Sequence, residues 1–201
     1  MNKRKAPSQN TQPRPPRTIT PGRLANIALH YLERYASSSE NLRRVLERRV
    51  YKASCFHEDL DVQAAHGWID DLIKRYQDSG LLNDLTYAET RARSLVARGT
   101  ATRVIRMKLL EKGVDSDTID QALAALEDEH PEPELAAAIK LARRRRLGPY
   151  RDPAKRAEKK DRDLAAMARS GFSYDLAKRI IECTDTDELE DLLNPPPFGD
   201  L

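Results

Sequence analysis

Long apolar runs are missing from this sequence: no segment approaches the roughly 20 apolar residues that a membrane-spanning helix needs. Cysteine is nearly missing too. The two present, Cys55 and Cys183, stand 128 residues apart and fit neither a metal-ligand nor a redox spacing. Glycine is sparse, with 8 in 201 residues, and nothing matches a glycine-rich phosphate loop or an HExxH metal helix. Alternating runs of β-branched residues are few, which argues against sheet. Only 39% of the residues are apolar, so a compact sphere of this size would be short of core. A row of small units, each packing mainly on its neighbours, suits the composition better. The N-terminal residues are basic but no apolar stretch follows them, so they do not read as a secretory signal. Free-looking thiols without an export signal place the expected location in the cytoplasm.

Ala, Leu, Arg, Glu and Lys dominate what is present, and all favour helix. Charged residues make up 33% of the chain, and the formal net charge of +3 hides their segregation. Residues 1–17 carry Lys3, Arg4, Lys5, Arg14 and Arg17 with no acid, whereas residues 140–162 carry eleven Lys or Arg against three acids. Residues 113–139 hold eight acids and no Lys or Arg, and nothing after Arg179 is basic. Basic faces suggest a polyanion nearby, and acidic ones a protein partner.

Residues 1–21 lack periodicity and read as a disordered basic arm. From there the pattern is helical. Leu24, Ile27, Ala28, Tyr31 and Leu32 fall at spacings of three and four, and Ser37, Ser38 and Ser39 offer caps for a second helix through Leu42, Leu46 and Val50. Trp68, Ile69, Leu72, Ile73 and Tyr76 mark a third helix that closes at Ser79-Gly80. A second trio is bounded by Asn83 or Asp84, by Gly99 with Thr100 or Thr102 as cap, and by Gly113 with Asp115 or Ser116. A third trio starts after His130-Pro131, breaks at Leu147-Gly148-Pro149, and continues in a long basic helix from about Pro153 to a stop at Gly171. Ser173 caps its last helix, and Pro195-Pro196-Pro197 ends regular structure.

The trios repeat. Leu109 through Gly113 to Ser116 lines up with Met167 through Gly171 to Tyr174, an offset of 58 residues, and Ile119, Ala122 and Leu123 then fall on Ala177, Ile180 and Ile181. The expectation is an all-α protein of three tandem three-helix repeats in an elongated array. Its units span 22–82, 83–130 and 131–193, between the arm (1–21) and a flexible tail (194–201).

Three stretches stand out: Ser79-Gly80-Leu81-Leu82-Asn83-Asp84 with Tyr87-Ala88-Glu89, then Ile105 through Val114, then Leu164 through Asp175. Together they resemble the RecX family. The resemblance covers roughly residues 22–193. Arg98-Gly99-Thr100-Ala101-Thr102 lacks the second Gly and the Pro associated with that loop, and residues 55–66 run longer than the family pattern. The resemblance implies a cytoplasmic regulator, without cofactor, that binds the RecA filament on single-stranded DNA. It would lie along the filament groove, limiting growth and slowing ATP hydrolysis and strand exchange. A monomer is expected, with direct non-specific DNA contact left open.

Catalysis is not expected. His30, His57, His66 and His130 lie beside no nucleophile motif, and Cys55, His57 and His66 lack paired metal-ligand spacing. A helix-turn-helix regulator of DNA is the competing reading, because Leu109, Gly113 and Ile119 carry such a motif's spacing. Asp115, Asp117 and Asp120 at the would-be reading helix would repel phosphates, however. The candidate contact residues are basic. Arg91, Arg93, Arg98, Arg103 and Arg106 belong to the second unit. Arg143, Arg144, Arg145, Arg146, Lys155, Arg156, Lys159 and Lys160 form a denser cluster in the third. Only Tyr150 lies among the latter, so stacking on bases is not expected there.

Overall fold

A computed structural model of the protein describes residues 16–129 and 132–193. Most of the expected arm and all of the expected tail lie outside the described residues. Among the described residues there are ten α-helices, one 3-10 turn and no strand. None of these helices is long and apolar enough to cross a membrane.

The first unit contains α1 (Pro21–Leu32), α2 (Ser39–Ser54) and α3 (Val62–Asp78). Thr20, Ser38 and Asp61 cap them through side-chain oxygens that accept from Arg23, Asn41 and Ala64 amides, satisfying donors the helices leave orphaned. Leu24, Leu42, Leu46, Val50 and Ile69 are sealed in the core between them, each Leu contributing on the order of 2 kcal/mol of burial. Ile19 joins that core at 4% exposure, although its sequence neighbourhood reads as arm. One apolar residue ahead of a capping threonine is enough to pin the lead-in to the first helix.

The second unit contains α4 (Asp84–Ala97), α5 (Thr102–Glu111) and α6 (Ser116–Glu129). The third contains α7 (Pro133–Arg145), a 3-10 turn (Gly148–Tyr150), α8 (Pro153–Arg169) and α9 (Tyr174–Glu182). The 58-residue repeat is a repeat of geometry. Gly113 and Gly171 take left-handed φ values of 75° and 100°. After each, the next amide donates back across the turn, Val114 to the Leu109 carbonyl and Phe172 to the Met167 carbonyl. This is the closing bond of a left-handed helix stop. Val114 and Phe172 are both buried, so each stop also drives an apolar residue into the core.

Four features depart from the sequence expectation. The helix capped by Ser173 is not the last, because α10 (Thr186–Leu193) follows it and buries Leu189 against the core that α7 helps build. The N-cap position of α5 is Ala101, not a threonine. The missing cap comes from α7, whose Glu134 Oε2 accepts from Thr102 N at 2.7 Å and from its hydroxyl at 2.5 Å. The 3-10 turn replaces a simple break after α7. Finally, the units are not equally independent. Residues of the second and third share one continuous apolar cluster, while the first keeps its own.

Candidate basic interface

Helix geometry distributes the thirteen candidate cations over two units, and their surroundings divide them. Seven are held by the fold. Arg93 on α4 reaches Glu129 at the end of α6 (2.7 Å) and Glu89 one turn back (3.3 Å), and the Glu129 hydrogen bonds hold its guanidinium more firmly protonated than usual. Arg106 pairs with Asp120. Arg143 pairs with Glu190 of α10 at 2.9 Å, Lys159 with Glu158 at 2.5 Å, and Lys160 with Glu182 at 2.6 Å. Arg144 donates to the carbonyl of Arg98, bringing the end of α7 beside the end of α4. Arg156 is structural: its Nε and Nη2 donate to the carbonyls of Arg151 and Pro149 and brace the 3-10 turn.

Six remain uncommitted. The side chains of Arg91, Arg98, Arg103, Arg145, Arg146 and Lys155 make no ion pair or hydrogen bond among the described residues, and all but Arg91 are exposed. Arg146 stands out further, being the one non-glycine residue among the described residues with left-handed backbone, at φ 52° and ψ 55°. That conformation costs an L-residue about 1–2 kcal/mol, and glycine is the usual occupant of this helix-end position.

Just after Arg145 and Arg146 in sequence, the third unit holds a buried polar network. Asp163, 1% exposed, accepts from the Gly148 amide (3.0 Å) and from Arg151 Nε (2.9 Å) and Nη2 (2.6 Å). Tyr150 donates to Glu190 Oε1 at 2.9 Å. Burial first, and then the Glu190 carboxylate, push its phenol far above the ordinary range, so it stays a neutral donor. This network fixes the 3-10 turn that follows Arg145 and Arg146 at the end of α7.

The start of α6 does not suit base reading. Asp115, Asp117 and Asp120 are exposed, Asp115 is engaged by Thr118, and Asp120 holds the arginine that would otherwise reach phosphate. Cys55, His57 and His66 point to separate partners: the Tyr51 carbonyl, the Pro16 carbonyl and Glu47.

A basic site in the first unit was not evident from the sequence. Arg17, Arg23, Arg34, Arg49 and Lys52 line a cleft of about 550 Å³ together with Tyr31 and Tyr35. These cations come from the lead-in, α1, the loop after it and α2, so no local run of charge marks them. The available signal was the helical phase, which puts Arg49 and Lys52 on one face of α2.

Comparison with known proteins places the architecture. A family model described as RecX, second three-helix domain, matches residues 83–123. A regulatory protein RecX from Myxococcus xanthus (strain DK1622) is 44% identical over 171 residues, covering 85% of this chain and 90% of the relative. The chain belongs to the RecX family. A second RecX regulatory protein, from Agrobacterium fabrum, is 31% identical over 86% of this chain and 89% of its own length. The crystal structure of RecX from Lactobacillus salivarius superposes with a TM-score of 0.55 at 24% identity, covering 85% of this chain and 96% of that one. That likeness supports the all-helical RecX fold. The RecX relatives are named as regulatory proteins.

Proposed function

We propose that this chain docks on the RecA filament assembled on single-stranded DNA and restrains its growth, ATP hydrolysis and strand exchange during DNA repair and recombination. The observation that carries the reading is 44% identity to a regulatory RecX protein across all three helical units. Physical features support it. A row of helical units offers a long surface that can touch successive protomers along a groove. The uncommitted cations of the second and third units supply charge for an acidic protein surface or for phosphate without breaking any internal pair. Arg145 and Arg146 are the contacts favoured most, because they end α7 directly before the braced 3-10 turn. Such a protein acts in the cytoplasm, needs no cofactor and works as a monomer along the groove.

The test is a titration of the chain into a recombinase reaction that hydrolyses ATP on single-stranded DNA. Hydrolysis falls at substoichiometric ratios, and the fall is reduced by Arg145→Ala with Arg146→Ala. No fall at any ratio removes the reading. Tight binding to one duplex sequence that survives about 0.2 M salt would instead favour a DNA-binding regulator.

A further inference from the structure

The first unit carries a basic, aromatic-walled cleft that the filament reading does not use. Its floor and walls come from α1, α2 and the lead-in. No acid is found among its described lining residues, and the side chains of Arg34, Arg49 and Lys52 make no ion pair or hydrogen bond among the described residues. Among the thirteen candidate cations of the other units, by contrast, five are paired with acids of the same chain. One side chain marks the cleft as a binding site more sharply than its charge does. Arg23 Nε is sealed from solvent with no hydrogen-bond partner, the one such side-chain atom among the described residues. A buried donor without an acceptor is costly, and Arg23 is one of the residues that line the cleft.

The aromatic pair narrows the chemistry. Tyr31 and Tyr35 stand with ring centroids 5.2 Å apart at an interplanar angle of 40°. The Tyr31 hydroxyl accepts from Asn41 Nδ2 at 3.0 Å, which fixes that ring in place. Tyr35 is 57% exposed, a large flat surface turned to solvent. Arginines select phosphate oxygens, and exposed tyrosine rings beside them offer a face on which an unpaired base can stack. A second depression along α1 shares Arg23, Ile27 and His30 with the cleft, so the groove continues beyond one nucleotide. A duplex hides its base faces, and an acidic peptide would have no use for the rings.

We propose that this cleft binds single-stranded nucleic acid, with a base on Tyr35 beside the fixed Tyr31 ring and the flanking phosphates on Arg23, Arg34, Arg49 and Lys52. The inference stands apart from the filament reading, since it concerns the chain alone with a bare strand.

The experiment uses the full chain without recombinase and a short fluorescent oligothymidylate, read by anisotropy over a salt series. Polyglutamate of matched charge serves as competitor. Arg34→Ala with Arg49→Ala flattens the slope of log affinity against log salt by about 1.4, the value for two phosphate contacts to a single strand. Tyr35→Ala weakens binding at least about fivefold, as the loss of one stacked base requires. Lys178→Ala with Arg179→Ala, which removes the same charge from exposed positions on α9, leaves oligothymidylate binding nearly unchanged. Iodouracil-substituted oligothymidylate, irradiated in the complex, forms its adduct on Tyr31 or Tyr35. Far-UV circular dichroism confirms that the variants fold. The proposal is overturned if the parent chain does not bind, if either cleft variant binds like the parent, or if adducts form only outside the cleft. Competition by polyglutamate as strong as by unlabelled oligothymidylate also overturns it, in favour of an acidic protein partner.

Discussion

The joint between the first and second units and the joint between the second and third are built from different materials. The first is polar. The Ser38 hydroxyl donates to the Lys112 carbonyl, Lys112 Nζ donates to Asn41 Oδ1 at 3.2 Å, Arg44 donates to the Glu111 carbonyl at 2.8 Å, and the Ser39 amide donates to Asp84 Oδ1 at 2.7 Å. The start of α2 thus grips the carbonyl end of α5, two helix ends supplying what each other lacks. The second joint is apolar and closely packed. Leu135, Ala138 and Leu141 of α7 are sealed in one cluster with Ala92, Leu95 and Ile105. Hydrogen bonds exposed at their edges can exchange with water one at a time, whereas a shared core can be lost only as a whole. Units two and three should therefore open as one body, with the first unit free to open separately.

The most severe test strikes the apolar joint. Gly99 has φ +70°, and a Cβ there would lie 2.7 Å from Leu141 N and 2.8 Å from the Ala137 carbonyl oxygen, both backbone. Gly99→Ala should destabilise by about 2–5 kcal/mol, adding a left-handed penalty to overpacking against atoms that cannot step aside. In hydrogen exchange, the amides of α4 to α9 should lose protection together while those of α1 to α3 keep theirs. Loss of protection across α1 to α9 alike would break the two-body picture.

Asp163→Ala asks the same of a site deep inside the third unit. It strands the Gly148 amide and the Arg151 guanidinium. With Arg151 still 24% exposed, the cost should be about 2–4 kcal/mol, somewhat below that of splitting a fully buried pair. If units two and three share one fate, amides of α4 and α6 should weaken as much as those of α8. Weakening confined to the third unit would show that the shared apolar cluster does not couple them.

Much of this architecture was legible in the sequence because its determinants are local. Gly113 and Gly171 stop their helices within a few residues of Leu109 and Met167, so a 58-residue offset could be read directly. Ser38, Asp61, Asn83, Asp115 and Ser173 cap the helices that follow them. What was hidden depends on contacts far along the chain. The α5 cap is Glu134, 32 residues on, and Arg93 and Arg143 meet their acids at separations of 36 and 47 residues. Counting charge in a window treats those arginines as free. The α10 helix was missed because its eight residues hold four acids, which leaves few apolar positions to mark a helix before Leu189 joins the core. The first-unit cleft failed the other way, its cations being spread too thinly along the sequence to form a run.

Ser38→Ala tests the polar joint. It removes the cap of α2 and the bond to the Lys112 carbonyl in one step, at a cost of about 1–2 kcal/mol. The more telling outcome is in the shape of the melt. Heat should now separate an early transition of the first unit from a later one of the other two, followed by Trp68 fluorescence against total ellipticity, since Trp68 packs on the first core. A single coincident transition would mean that the remaining bonds at Arg44 and Asp84 suffice to hold the units in one cooperative body.

The smallest effect has the opposite sign. Arg146→Gly relieves the left-handed backbone at the end of α7 and should raise stability by about 0.5–1 kcal/mol, the relief exceeding the extra freedom glycine gives the unfolded chain. The Arg146 side chain makes no hydrogen bond or ion pair among the described residues that would be lost. Because it sits on the block that shares one core, the later transition should move up while the earlier one stays put. If Arg146 contacts the filament, the same variant should restrain recombinase ATP hydrolysis less than the parent despite folding more stably, a trade found where strain serves a binding surface. A variant that gained stability and kept full inhibition would leave the strained arginine without a role at the interface and shift the weight to Arg145 and Arg98.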